Sequence, residues 1–152
     1  MKIKVKKLVP EAVVPFKKHD TDFCMDVVAT SLEIKENGVY CYGTGLAFQI
    51  DRDSVTYPLN NSLDSLLSID ARPRSSIYKT GLLLCNSTGT CDESYVGEVK
   101  LMFYKVADGE PYKVGDRIAQ IKVGVSVPIE FEEVKELSST DRGDGGFGST
   151  GK

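Results

Sequence analysis

The sequence predicts an all-β fold of many short strands, and three observations carry that prediction. Short runs rich in β-branched and aromatic residues recur along the chain, most of them bounded by Gly, Pro or Asn. One of them, SLEIKENGVYCY at 31–42, holds Asn37-Gly38 between two alternating arms, the strongest short-range hairpin signal a sequence offers. No strand–helix alternation is present, which argues against a doubly wound parallel sheet.

Taken in order, residues 2–8 alternate lysine with Ile3 and Val5, as a strand with one wet face does. After the 31–42 hairpin come TGLAFQI (44–50), TGLLLC (80–85), VGEVKLMFYKV (96–106), DRIAQIKV (116–123) and VPIEFEEV (127–134). The last sets Ile129 and Phe131 against Glu130 and Glu132. One pattern is helical: in NNSLDSLLSI (60–69), Leu63, Leu66 and Leu67 stand at i, i+3 and i+4 behind an Asn/Ser cap, predicting a short helix in an inserted loop. From Ser138 onward the composition shifts to SSTDRGDGGFGSTGK, where Phe147 is the lone apolar side chain, too little to fix a backbone. The expected organisation is a β domain over 1–138 and a flexible, glycine-rich tail over 139–152.

Bulk properties narrow the function. A chain of 152 residues is one domain in size, and 41% apolar with 27% charged residues is a globular balance. No apolar run reaches the roughly 18 residues of a membrane span, and MKIKVKKLVP lacks the core of a signal peptide, so no membrane role and a cytoplasmic location are expected. The net charge of −3 argues against nucleic-acid binding, which needs clustered cations. Cys24, Cys41, Cys85 and Cys91 show no C-x-x-C spacing and the chain has one histidine, so neither zinc nor a disulfide is expected.

The final GFGSTGK (146–152) satisfies the phosphate-loop pattern G-x-x-x-x-G-K, but such a loop works by opening a helix and following its lysine with a hydroxyl. Lys152 is the last residue, so the composition points instead to a strap: free glycine amides with Arg142, Ser149 and Thr150 as donors to an anion, and Phe147 to lie flat on a base. The plain alternative is a tail without function. Within the domain, ARPRSSIYKTG (71–81) sets Arg74 beside Ser75 and Ser76 after Pro73, a grouping suited to phosphate oxygens or to a solvated turn. NSTGTCDESYVGE (86–98) reads as a hairpin with Thr88-Gly89 near its turn. On its return limb Asp92 could orient a water and Tyr95 pack on a sugar, or both could be ordinary surface residues. Gln120, placed by alternation on one face with Ile118 and Lys122, needs a partner if it is buried.

In order, FCMDVVA, RPRSS, NSTGTCDESYVGE, GDRIAQ and RGDGGFGSTG resemble the five motifs of the trimeric dUTP diphosphatases, from about residue 20 to the C-terminus. The resemblance implies a jelly-roll-like β subunit and a homotrimer with three shared active sites. Motifs one, two and four would come from one subunit, the third from a second, and the tail, as a mobile lid, from the third. It implies hydrolysis of dUTP to dUMP and pyrophosphate, which limits uracil in DNA and supplies dUMP for thymidylate synthesis.

By the same resemblance Asp92 activates the water that attacks the α-phosphorus, Tyr95 lies under the deoxyribose and excludes a 2′-hydroxyl, and Asn86 reads the uracil edge. Arg74, Ser75, Ser76 and Gln120 meet the phosphates. Phe147 stacks on uracil while Arg142, Gly148, Ser149 and Thr150 close on the β- and γ-phosphates. The implied metal is Mg²⁺ held mainly by the triphosphate, with Asp26 meeting it through water. The sequence departs from the family at Cys24, where glycine is usual, at Cys91, where an aliphatic residue is usual, and over 51–70, which is long. A related dCTP deaminase activity and an inactive nucleotide-binding regulator are the alternative readings.

Overall fold

The computed structural model describes residues 1–56 and 66–146. Among them stand ten strands, every pairing antiparallel, and no α-helix. Two form a ribbon, β1 (Lys2–Lys7) with β5 (Leu46–Asp51). A first four-stranded sheet runs in the order β2 (Met25–Val28), β10 (Arg117–Ser126), β6 (Leu66–Arg72), β8 (Gly89–Asp92). A second runs β3 (Ser31–Ile34), β4 (Tyr40–Gly43), β9 (Lys100–Lys105), β7 (Leu82–Leu84). From β6 to β10 the chain changes sheet at every connection, the crossing pattern of a jelly-roll-like sandwich.

Side chains of both sheets and the ribbon share one core, which includes Val27, Tyr42, Leu46, Ile69, Phe103 and Ile118. At its centre Tyr42, Phe103 and Tyr112 meet edge to face with ring centroids 5.7 to 6.2 Å apart, worth about 0.5–1.5 kcal/mol per pair beyond burial. The Tyr42 hydroxyl donates to the Tyr112 carbonyl at 2.7 Å, and burial pushes its pKa up to about 12. The Asn37-Gly38 hairpin forms as expected: Gly38 takes φ +76°, where a side chain would be strained, and the Lys35 N–H donates to the Val39 carbonyl at 2.9 Å.

Three expectations are corrected. Leu66–Ile69, the end of the expected helix, opens β6, where Leu67, Ile69 and Ala71 point inward at a period of two; the first part of that helix, with Leu63, lies outside the described residues. Pairing to β10 and β8 on either side outweighs the local helical spacing of the leucines. VPIEFEEV forms no strand: Ile129 and Phe131 are 70% and 90% exposed, because among the described residues no sheet edge lies beside them to complete a ladder. The 86–98 segment is not a hairpin of paired neighbours. Its turn joins β7 of the second sheet to β8 of the first, and the chain then crosses back to β9.

Candidate active site

Asp26 sits in the middle of β2, and the β2–β10 register sets Gln120 directly opposite it. A register shift between Arg117 and Ala119 lets Ile118 and Ala119 both enter the core, so Gln120 emerges with Lys122 on the outer face, not with Ile118. The partner that Gln120 requires is Asp26: its Nε2 donates to Asp26 Oδ1 at 3.2 Å. Arg74 Nε donates to the same oxygen at 3.1 Å, and Arg117 Nη1 donates to Oδ2 at 2.8 Å. The carboxylate is 6% exposed, so its charge is tolerated because two guanidinium groups face it.

Arg74 reaches this position because Pro73 keeps the chain extended after β6, while Ser75 and Ser76 open a 3-10 turn, Ser75–Lys79. Arg74 Nη1 lies 3.3 Å from the Ser76 hydroxyl; Ser75 is exposed. This cradle opens into a cleft of about 390 Å³ whose charged lining is Lys18, Asp22 and the Asp26 group, and into a second of about 530 Å³ whose charged lining is Arg74, Lys79, Arg117, Glu110 and Asp116. In each cleft three cationic side chains face two carboxylates, a small positive excess that favours an anion. Cys24 does not disturb the cradle, since β2 starts at the next residue and Asp26 bridges Phe16 through both backbone groups at 2.8 and 3.3 Å.

Asn86, Asp92 and Tyr95 come together elsewhere, around a hollow of about 670 Å³ under the arch that crosses between the sheets. Asp92 ends β8 and is exposed. Ser87 holds φ +55°, turning the chain sharply after Asn86. Tyr95 folds back over Gly97, where a Cβ would lie 2.6 Å from its hydroxyl, and donates to the Glu98 carbonyl at 2.9 Å. Glu98 Oε1 in turn accepts the Gly45 N–H at 2.9 Å.

Asp26, Gln120 and Asp92 all emerge on the outer face of the first sheet, opposite the core-facing Val27, Ile121 and Cys91. Between them lies the Lys122–Asp70 pair at 3.3 Å; burial raises the Asp70 pKa, but bonds from Ser68, Lys122 and Thr90 win and hold it below the ordinary range. Three strand spacings and four residues of register separate Asp26 from Asp92, about 20 Å by ordinary sheet dimensions. One chain therefore presents the cradle and the arch in two separate places. Arg142 Nε donates to the Gly145 carbonyl at 3.0 Å, within its own exposed turn. Phe147, Gly148, Ser149 and Thr150 lie outside the described residues.

No group of three or more His, Cys, Asp or Glu that could hold a metal is present among the described residues. Asp26 has three donors on about four acceptor positions, which leaves one position open, too few to hold a cation without ligands from elsewhere. That donor set fits a dication carried by phosphates. Sequence reasoning missed Arg117, although it stands inside the GDRIAQ motif beside an apolar run. It also missed Glu93 and Arg52, which pair side chain to side chain across 41 residues with no local pattern to reveal them.

The family profile of the dUTPases matches residues 27–151. A deoxyuridine 5'-triphosphate nucleotidohydrolase of Nautilia profundicola is 37% identical over 157 residues, covering 100% of both chains. One of Wolinella succinogenes is 37% identical over 155 residues, covering 100% of this chain and 95% of its own. Among solved structures, the dUTPase of Staphylococcus bacteriophage 80alpha with dUPNHPP superposes with a TM-score of 0.73 at 22% identity, over 99% of each chain. A variant dUTPase from phage phi11 of S. aureus, described as coordinating a structural Mg(II) ion, superposes at 0.66 with 19% identity, over 91% of this chain and 100% of its own.

Proposed function

The chain belongs to the dUTPase family, whose members hydrolyse dUTP, and from that premise we propose how its own residues do so. The single observation that supports the scheme best is the separation of cradle and arch: neither half alone can hold a nucleotide and attack it. A homotrimer that sets the arch of one subunit over the cradle of the next makes whole sites. The exposed apolar side chains after β10 support association, since Val127, Ile129, Phe131 and Leu137 are all more than half exposed in the lone chain.

In this scheme dUTP lies with uracil and sugar in the arch and triphosphate in the cradle. Asn86 and neighbouring backbone groups read the uracil edge, and Tyr95 packs under the deoxyribose where a 2′-hydroxyl has no room. Arg74, Ser75, Ser76 and Gln120 bind phosphate oxygens, and the excess guanidinium charge offsets theirs. Asp92 orients a water and takes its proton as the water oxygen bonds the α-phosphorus; the bond from that phosphorus to the bridging oxygen breaks, and pyrophosphate leaves. A Mg²⁺ ion enters on the triphosphate and, when bound, neutralises phosphate charge and fixes the chain for in-line attack. Asp26 holds Arg74, Arg117 and Gln120 in place and would meet such an ion through water. Residues 1–138 form the β domain. Residues 139–152 act as a lid from a third subunit, with Phe147 on the base and Arg142, Gly148, Ser149 and Thr150 on the outer phosphates, excluding bulk water.

We place the enzyme in the cytoplasm; no helix among the described residues is long and apolar enough to cross a membrane. Incubating the protein with dUTP and Mg²⁺ is expected to release pyrophosphate, from a species of three chains by mass in solution. Nucleotide binding without pyrophosphate would favour a regulator, and ammonia from dCTP would favour a deaminase.

A further inference from the structure

The backbone ladder between β6 and β8 ends at Asp92, opposite Ser68. One residue further, the backbone donor on β6 is still used, but by a side chain: the Leu67 N–H donates to Glu93 Oε2 at 3.1 Å. Both Glu93 oxygens also accept from Arg52, Oε1 from Nε and Oε2 from Nη2, in a two-pronged ion pair. Arg52 directly follows β5, so one carboxylate joins the end of the ribbon, the start of β6 and the turn after Asp92. The turn itself is closed by the Tyr95 N–H donating to the Asp92 carbonyl at 2.9 Å.

The clasp matters because of where β8 lies. Among the described residues it is an edge strand of four residues, held to β6 alone, with its last side chain exposed. Edge ends fray unless something ties them, and a misplacement of about 1 Å of a reacting group can cost about a hundredfold in rate. Glu93 acts as a further rung, drawn from a side chain, where the backbone ladder stops. Its commitment to a guanidinium and an amide, which holds its carboxyl below the ordinary range, also makes it a poor base itself. The same clasp brackets the 57–65 segment, since Arg52 precedes it and Leu67 follows it.

We propose that Glu93 is a positioning residue for Asp92, acting through its clasp on Arg52 and the Leu67 amide. The proposal rests on the reading of Asp92 as the group that activates water. The experiment compares Glu93→Gln, Arg52→Gln, the double variant and Asp92→Asn, each as the full chain, by kcat and KM for dUTP with Mg²⁺ at 25 °C and by Tm. The expected result is a kcat about tenfold lower in each single clasp variant and KM within about twofold, because the loss falls on alignment and not on nucleotide contacts. The double variant should be no slower than the slower single, as the two residues act as one unit. A merely structural clasp would lower Tm and leave the kcat of the folded enzyme untouched. Unchanged kcat in both singles while Asp92→Asn is inactive overturns the clasp and spares the active-site reading; so do losses that multiply in the double, or losses carried by KM. Turnover by Asp92→Asn removes the reading and the proposal together. If Glu93→Gln does not fold, Arg52→Gln decides by the same numbers.

Discussion

Asp26 of the cradle and Asp92 of the arch stand on the same outer face of one sheet, yet the two regions are built on opposite plans. In the cradle both oxygens of the Asp26 carboxylate are bonded within the chain: two guanidinium groups and an amide converge on it, supplied by β10 and by the segment after β6. In the arch Asp92 is exposed, Asn86 is exposed, and Tyr95 is half-exposed, its hydroxyl bonded to the Glu98 carbonyl of its own turn. A buried charge must be satisfied before any ligand arrives, so the cradle is organised in advance. The arch keeps its polar atoms open, which suits surfaces that become a site when a partner and a substrate cover them.

The largest effect expected of this contrast is chemical. Asp92→Asn should lower kcat by about 10² to 10⁴ while dUTP affinity, read by calorimetry, stays within a few-fold, since the variant removes the base and keeps the pocket. A variant with near-normal turnover would make the arch a binding surface only. Deleting residues 142–152 should come next, costing about ten- to a hundredfold in kcat/KM with no change in Tm, because a lid acts on the closed complex and not on the fold. A falling Tm would make the tail part of the domain. Asp26→Asn should affect stability more than either, by about 2–3 kcal/mol in urea titration, as it leaves two guanidinium groups facing each other; the partial exposure of Arg117 keeps the figure below that of a fully buried pair. If its stability matches wild type, the cradle is not organised in advance.

The smallest effect is a pH dependence on the arch side. The Arg52 guanidinium holds the Glu93 carboxyl below its ordinary value of 4.5, so the clasp's contribution to stability is complete above that value. It is lost as pH falls through the depressed folded pKa. The Tm difference between wild type and Glu93→Gln should therefore shrink from about pH 6 to about pH 3. A difference that is constant with pH would mean the clasp contributes shape and not charge.

What could be read from the sequence follows the distance over which each feature is decided. The Asn37-Gly38 turn and the alternation of Lys2–Lys7 are local, and both took the expected form. Leu66 and Leu67 continue a helical spacing from Leu63, while Leu67 and Ile69 begin a strand's, and the decision belonged to β8 and β10, which lie far along the chain. VPIEFEEV has a strand's pattern and lacks the neighbour that would make it one. In the site, Gln120 could be flagged as a polar residue in need of a partner, but Asp26 as that partner, 94 residues away, could not. Arg117 and Glu93 escaped for the same reason: an ion pair leaves no period in a sequence. The motif order carried the family, and the strand register then showed that its members are divided between two places.

The gap of about 20 Å between Asp26 and Asp92 has a genetic corollary. In the proposed trimer a chain lacking Asp92 and a chain lacking Arg74 would be damaged in different halves of the site, so mixed assemblies would recover function that neither chain has alone. If subunits exchange freely, a site pairing an intact arch with an intact cradle arises in about one quarter of cases for an equal mixture in a cyclic trimer. Co-expression of the two alleles would then complement, whereas two alleles damaged in the same half would not.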